Sequence, residues 1–334
     1  MDLTTSYLGM QLPHPFMPGA SPLVDDLSLV RRLEDAGAAA IVMHSLFEEQ
    51  LASEQLATHE YMNAPAESFA EALSYMPSPD EFKLGPEEYL QQLQNVKQAV
   101  DIPVIASLNG TTLGGWLDYA RLLAEAGADA IELNVYQLAT DPEESGQALE
   151  QRTIEMLRAV KQEVQIPVAI KLSPFHTAMA HFARELDNAG ANGMIVFNRF
   201  YQADIDIEEL EVERALRLSH PSELLLRLTW LAVLSGHVKA SLAVAGGVHT
   251  AIDAIKAVMA GAHVVQVVSA LLRHGPRYLG TMREEMMRWM EKHEYESLRQ
   301  MQGSMNLTRC PDPKAFERAN YMQILQSWKG YVPA

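Results

Sequence analysis

Two patterns of apolar positions alternate along the chain. Short continuous apolar runs have the length of strands buried on both faces, and longer segments between them carry apolar residues at three- and four-residue spacing, as helices packed on a sheet do. The strands predicted in this way are Phe16–Gly19, Ala40–His44, Val104–Ser107, Ala130–Asn134, Val168–Leu172, Met194–Asn198, Leu242–Ala245 and Val264–Val267. The helices are Leu27–Ala36, Glu87–Val100, Gly114–Ala126, Ala148–Val164, Thr177–Ala189, Ser222–Ser235, Thr250–Ala260 and Pro276–Lys292. Several helical segments close on Ala-Gly (Ala36-Gly37, Ala126-Gly127, Ala189-Gly190, Ala260-Gly261), a stop signal whose recurrence marks a repeated strand-helix unit. Eight such units predict an α/β fold, a single (β/α)8 TIM barrel spanning residues 1–334, with its active face at the C-terminal ends of the strands.

Three segments fall outside the repeat. Leu3 to Leu12 has the length of a β-hairpin under the barrel. The connection from Ser45 to about Gly85 is long and rich in Glu and Pro, and loops of this length usually cover a site or mediate contacts. The tail, about 303–334, contains Cys310-Pro-Asp-Pro313 before a helix over Lys314–Lys329, and is expected to pack on the barrel or on a partner subunit.

Composition narrows the class. With 48% hydrophobic residues, the 334-residue chain can bury a sizeable core. It has no 18-residue apolar run, and Met1-Asp-Leu-Thr-Thr lacks the features of a signal peptide, so a cytoplasmic protein without membrane attachment is expected. A net charge of -17, from 26 basic and 43 acidic residues, disfavours nucleic acid as a partner. Cys310 is the only cysteine, which excludes an internal disulfide and a thiolate zinc site. The 17 methionines are scattered over helical faces as core filling, and no metal site is expected.

The candidate chemistry gathers at strand ends: Gly19-Ala20-Ser21, His44-Ser45, Ser107-Leu108-Asn109, Asn134, Lys171, Asn198-Arg199, Gly246-Gly247 and Ser269-Ala270. The double glycine and Ser269-Ala270 close the seventh and eighth strands, where barrels of this type bind phosphate through backbone N–H groups. Three asparagines and a lysine beside a phosphate site suit a planar, amide-bearing, phosphorylated ligand, because an amide side chain both donates and accepts. Flavin mononucleotide (FMN) fits that description. A flavin-free lyase or isomerase of sugar phosphates, with Lys171 as Schiff-base nucleophile, fits the same cradle.

In order and spacing, His14-Pro-Phe-Met-Pro-Gly-Ala-Ser21, Glu132-Leu-Asn134, Ile170-Lys-Leu-Ser-Pro174, Ala245-Gly-Gly-Val-His-Thr250 and Gly261-Ala…Gln266-Val-Val-Ser-Ala-Leu271…Gly275-Pro276 resemble the dihydroorotate dehydrogenases, especially the soluble class 1 enzymes and their dehydrogenase-like branch. The likeness runs from about Leu3 to Tyr295. It implies FMN as cofactor, held by Ala20, Ser21, Asn109, Asn134, Lys171, Gly246, Gly247, Ser269 and Ala270, with Lys171 near N1 and O2 of the ring system. It also implies that Asn134 and Asn198 hold flavin or substrate, and that the protein is a homodimer.

The departures from the family are equally specific. The position of the family's catalytic cysteine or serine is Gln137, whose amide has no usable basicity near neutral pH. The following asparagine is Ala139, the lysine after the second strand is His44, a small serine is Arg199, and the glycine-rich turn before the seventh strand is Arg217-Leu-Ser-His-Pro221. The expectation is an FMN-dependent oxidoreductase. It would act on dihydroorotate or a related small cyclic substrate by hydride transfer to flavin, with Lys171, Asn134, Asn198 and His44 as the catalytic set. His44 is either a base or a hydrogen-bonded histidine of the pocket wall. A flavoprotein electron-transfer subunit working with a redox partner protein is the alternative that loss of the base suggests.

Overall fold

The computed structural model describes residues 1–48, 86–110, 112–213 and 215–327. Eight parallel strands form the barrel: β3 (Phe16–Pro18), β4 (Ile41–Phe47), β5 (Val104–Asn109), β6 (Ala130–Asn134), β7 (Val168–Leu172), β8 (Gly193–Val196), β11 (Ser241–Ala245) and β12 (Val264–Val267). Their spatial order is β3-β12-β11-β8-β7-β6-β5-β4. The circle closes where the Ala39 N–H donates to the Phe16 carbonyl at 3.0 Å. Crossovers run through α1 (Leu27–Asp35), α2 (Pro86–Ala99), α3 (Leu113–Glu125), α4 (Gly146–Glu163), α5 (Met179–Asn188), α6 (Leu224–Leu234) and α7 (Ala251–Ala260). The chain then adds α8 (Ser269–His274) and α9 (Tyr278–Lys292). The Ala-Gly signals mark real helix ends: Gly37, Gly127, Gly190 and Gly261 all have positive φ, which lets the chain leave the helix and enter the next strand.

β1 (Thr5–Tyr7) and β2 (Met10–Leu12) pair as the expected hairpin, turning at Leu8 and Gly9, both with positive φ as a two-residue hairpin turn requires. The hairpin plugs the N-terminal mouth. Tyr7, Leu8 and Leu12 pack against Ala40, Ala130, Ala169 and Ala243 of the barrel, whose small side chains leave room for them. Gly193 makes the same accommodation, since a Cβ there would lie 2.5 Å from Leu8 Cδ2. The larger core lies between the sheet and the helices and is built from Val, Leu, Ile and Met. Its apolar burial supplies most of the driving force for the fold.

Several features depart from the sequence reading. β4 continues through Phe47 after a register shift between Val42 and Ser45, so the long connection starts at Glu48 rather than Ser45. Residues 49–85, on which the expectation of a covering loop falls, lie outside the described residues. A hairpin not anticipated from the sequence, β9 (Asp204–Asp206) with β10 (Glu211–Glu213), is inserted after β8, with its carboxylates and Ile205, Leu210 and Val212 all exposed. The tail straps across α6 and α7, with Leu307 N–H on the Ala232 carbonyl at 3.0 Å and Met305 N–H on the Met259 carbonyl at 2.9 Å. Beyond it, the single helix expected over Lys314–Lys329 is a short 3-10 turn, Pro313–Phe316, and a separate α-helix, Ala319–Ser327, because Glu317 between them is extended. Among the described residues no helix is long and apolar enough to cross a membrane, and no His, Cys, Asp and Glu group could hold a metal ion.

Candidate active site

The C-terminal ends of the barrel strands surround a cavity of about 510 Å³, within the range of small-molecule sites. Its floor is polar. Glu132 of β6, Lys171 of β7 and Gln266 of β12 point into the barrel and are 0%, 8% and 1% exposed. Lys171 Nζ donates to Glu132 Oε1 at 2.9 Å and to Gln266 Oε1 at 3.2 Å, and Gln266 Nε2 donates to Glu132 Oε2 at 2.5 Å. An ion pair buried to this degree is tolerable only when it is well hydrogen-bonded, and here Gln266 bridges both of its members.

On one wall, Asn134 Nδ2 donates to Ser45 Oγ at 3.2 Å, which shares a 2.8 Å hydrogen bond with Ser107 Oγ. Asn134 Oδ1 and the hydroxyl of Ser21, which also lines the cavity, are buried and have no partner among the described residues. Leaving such an atom unsatisfied costs about 1–3 kcal/mol, and a ligand with polar edges removes that cost. His44 lies on the same side, its Nδ1 2.6 Å from Asp25 Oδ1 and its ring edge-on to Tyr89 with centroids 5.0 Å apart. Asn198, above β8, donates to the Val135 carbonyl at 3.3 Å.

The opposite end is made of backbone and small groups. Gly246 and Gly247 follow β11 with φ of +83° and +81°. The turn packs directly on the start of α6, since a Cβ on Gly247 would lie 2.5 Å from Leu224 N. Beside it, Ser269 Oγ accepts from the Ser219 N–H at 3.0 Å and from the Ser219 hydroxyl at 2.9 Å, while Ser219 Oγ lies 3.0 Å from His249 Nε2. Burial, reinforced by Arg273, lowers the His249 pKa despite the opposing charge of Asp253, so the ring is neutral at pH 7. Arg199 closes this side. It lies 3.5 Å from Glu223, stands over the Tyr201 ring at 5.3 Å, and keeps its Nε buried without a partner among the described residues.

Ten of the eleven sequence-predicted site residues therefore line one cavity: Ala20, Ser21, His44, Asn109, Asn134, Lys171, Asn198, Gly246, Gly247 and Ser269. Ala270 is fully buried in α8 and is not among the lining residues. Gln137 is exposed and borders two smaller clefts instead, one beside Ser173 and Phe175 and the other beside Trp116. Sequence reasoning assigns no role to Glu132 or Gln266, although both stand inside the family motifs as polar residues on otherwise apolar strands. Ser219, in a segment without periodicity, carries no comparable signal.

The family model described as dihydroorotate dehydrogenase matches residues 83–290. Among curated relatives, the catalytic subunit of dihydroorotate dehydrogenase B (NAD(+)) from Thermoplasma acidophilum is 25% identical over 309 residues, covering 90% of this chain and 98% of the relative. The corresponding subunit from a Geobacter species is 29% identical over 239 residues, 67% and 75% of the two chains. The NAD-dependent dihydropyrimidine dehydrogenase subunit PreA of Escherichia coli is 24% identical over 331 residues, 93% and 78% of the two chains. A barrel with this motif order, matched by that model over more than half its length, belongs to the dihydroorotate dehydrogenase family and is an oxidoreductase.

Proposed function

We propose that the protein is an FMN-dependent oxidoreductase that moves hydride to or from a carbon–carbon bond of a small cyclic amide. The observation that carries this reading is the sharing of one cavity by Lys171 and the Gly246-Gly247 turn, with unpartnered Asn134 Oδ1 and Ser21 Oγ in its wall. These groups suit the cofactor. The left-handed glycines bring main chain close to a phosphate, and consecutive backbone amides in such turns favour anions. The orphaned amide and hydroxyl suit the polar edge of a planar ring, and Lys171 supplies positive charge.

Bound FMN would supply a hydride acceptor at N5. Lys171 offsets negative charge at the ring, and Asn134 and Asn198 orient the ring or the substrate. Ser269 and the glycine turn hold the phosphate, with Ala20, Ser21 and Asn109 completing the pocket. His44, beside Asp25, is the ionisable group on this wall best suited to exchange a proton with substrate, because Gln137 has no basicity and does not reach the cavity. Lys171 in a buried ion pair argues against a Schiff-base role, which needs a neutral, free amine.

The test is direct. Purified protein should be yellow, release FMN on denaturation and bleach with a substrate from a panel of dihydroorotate, dihydrouracil and related cyclic amides. Colourless protein that fails to take up added FMN would refute the reading. A second reading, an electron-transfer subunit, draws on the subunit named among the relatives. Bleaching seen only with a co-purifying partner would favour it.

A further inference from the structure

We infer that Glu132 and Gln266 are positioning residues that set how strongly Lys171 stabilises negative charge on the cofactor, and so set the flavin's reduction potential. This rests on the FMN reading above. An ammonium has three N–H donors. Two of those on Lys171 are committed below the cavity, to Glu132 at 2.9 Å and Gln266 at 3.2 Å. One donor is left for a ligand, on a side chain that lines the cavity.

The same pairing limits the charge this lysine offers. Glu132 is fully buried, so its carboxylate faces Lys171 with little solvent screening and cancels much of the field a ligand feels. Gln266 fixes the arrangement, because its amide donates to the second carboxylate oxygen while its carbonyl accepts from the lysine, leaving Glu132 no freedom to turn away. Gln266 itself lines the cavity. The three residues form a closed ring in which the cation is aimed upward and partly neutralised from beneath. A lone lysine would favour the anionic reduced cofactor more strongly.

Two isosteric substitutions test this with opposite expected signs. Glu132→Gln removes the opposing charge, and the two-electron reduction equilibrium of the FMN-loaded protein should move toward the reduced form by about tenfold, a rise of about 30 mV. Gln266→Glu sets a second carboxyl against Glu132 Oε2, and at a pH where that pair has released its shared proton it adds a negative charge beside Lys171 and should move the equilibrium about tenfold the other way. The measurement is the midpoint potential of bound flavin in the full-length protein, by equilibration with reference dyes, and circular dichroism checks that each variant is folded.

A purely structural role would disturb both variants alike, whereas the electrostatic role reverses sign between them. Potentials equal to wild type, or shifts in the same direction, overturn the inference and leave the FMN reading intact. Wild-type protein that binds no FMN overturns the FMN reading itself and this inference with it. Should Glu132→Gln fail to fold, a fall in potential in Gln266→Glu supports the inference, and an unchanged or raised potential there overturns it.

Discussion

Gly247→Ala is the substitution for which the structure gives the clearest graded expectation. Two costs combine at this position. Its φ of +81° lies in the left-handed region, where a Cβ costs about 1–2 kcal/mol. The added methyl would also sit 2.5 Å from Leu224 N and 2.9 Å from Leu224 Cα, backbone atoms at the start of α6 that cannot rotate away. Overpacking of this kind adds about 1–3 kcal/mol, so the total is about 2–5 kcal/mol. Gly127 is the matched control, with φ of +96° and nothing within 4 Å of an added methyl, so Gly127→Ala should show the left-handed cost of about 1–2 kcal/mol alone. Gly246→Ala falls between them, because its Cβ would meet the Arg227 guanidinium at 2.9 Å, a side chain rather than backbone. Urea unfolding with shared m-values separates the three. FMN retention should fall in Gly247→Ala and stay unchanged in Gly127→Ala. A Gly247→Ala protein no less stable than Gly127→Ala would show that the turn is not locked against α6 and that the packing argument is wrong.

Other expectations follow from single groups. Burial, reinforced by Arg283, lowers the His14 pKa from 6.5 to about 4, so the folded state favours the neutral ring. That contribution is complete above pH 6.5 and is lost as pH falls toward 4, about 3 kcal/mol in all. His14→Asn should flatten the stability curve across that window, and unchanged acid sensitivity would count against it. Lys171→Met leaves Glu132 buried without its cation and should cost about 3–5 kcal/mol, largely recovered by adding Glu132→Gln, together with lost FMN affinity. Denaturation of the single and double variants checks it, and failure to recover would mean that the two side chains are not coupled. Asp253→Ala removes the acceptor of the His249 and Thr250 N–H groups and the Thr250 hydroxyl, and should destabilise by about 1–2 kcal/mol in the same unfolding assay.

The barrel is legible in the sequence because its repeat is written in physics that acts locally. Runs such as Val168–Leu172 admit little but a buried strand, and each Ala-Gly marks a helix end that the next strand must follow. The convergence of Lys171, Asn134 and Gly246-Gly247 follows from the same logic, since strand ends in a closed barrel face one mouth. What stays hidden depends on contacts distant in sequence. Nothing around Ser219 announces that its hydroxyl meets Ser269 and His249, 50 and 30 residues away. The hairpin Asp204–Glu213 alternates apolar and acidic residues as a strand pair should, but no core-facing periodicity separates it from a loop, and both of its faces are exposed. Asp25 carries no signal beside Asp26, and only the fold brings it within 2.6 Å of His44.

The hairpin at the opposite mouth bears on the site as well. Were the barrel open beneath Glu132, water would reach the carboxylate and screen it from Lys171, and the pair would contribute little to the field in the cavity. Tyr7, Leu8 and Leu12 fill that space against a ring of alanines, and Tyr7 and Glu132 are both wholly buried. The Tyr7 hydroxyl has no partner among the described residues, and burial together with the Glu132 charge pushes its pKa far up, so it stays a neutral phenol. The polar floor thus meets solvent only from the cavity side. A ligand that settles there removes the last access of water to the ion pair, which strengthens every electrostatic contact the ligand makes with it. The small residues that β6, β7 and β11 present near the base of the barrel are therefore part of the functional design, because larger side chains would expel the hairpin that keeps the floor dry.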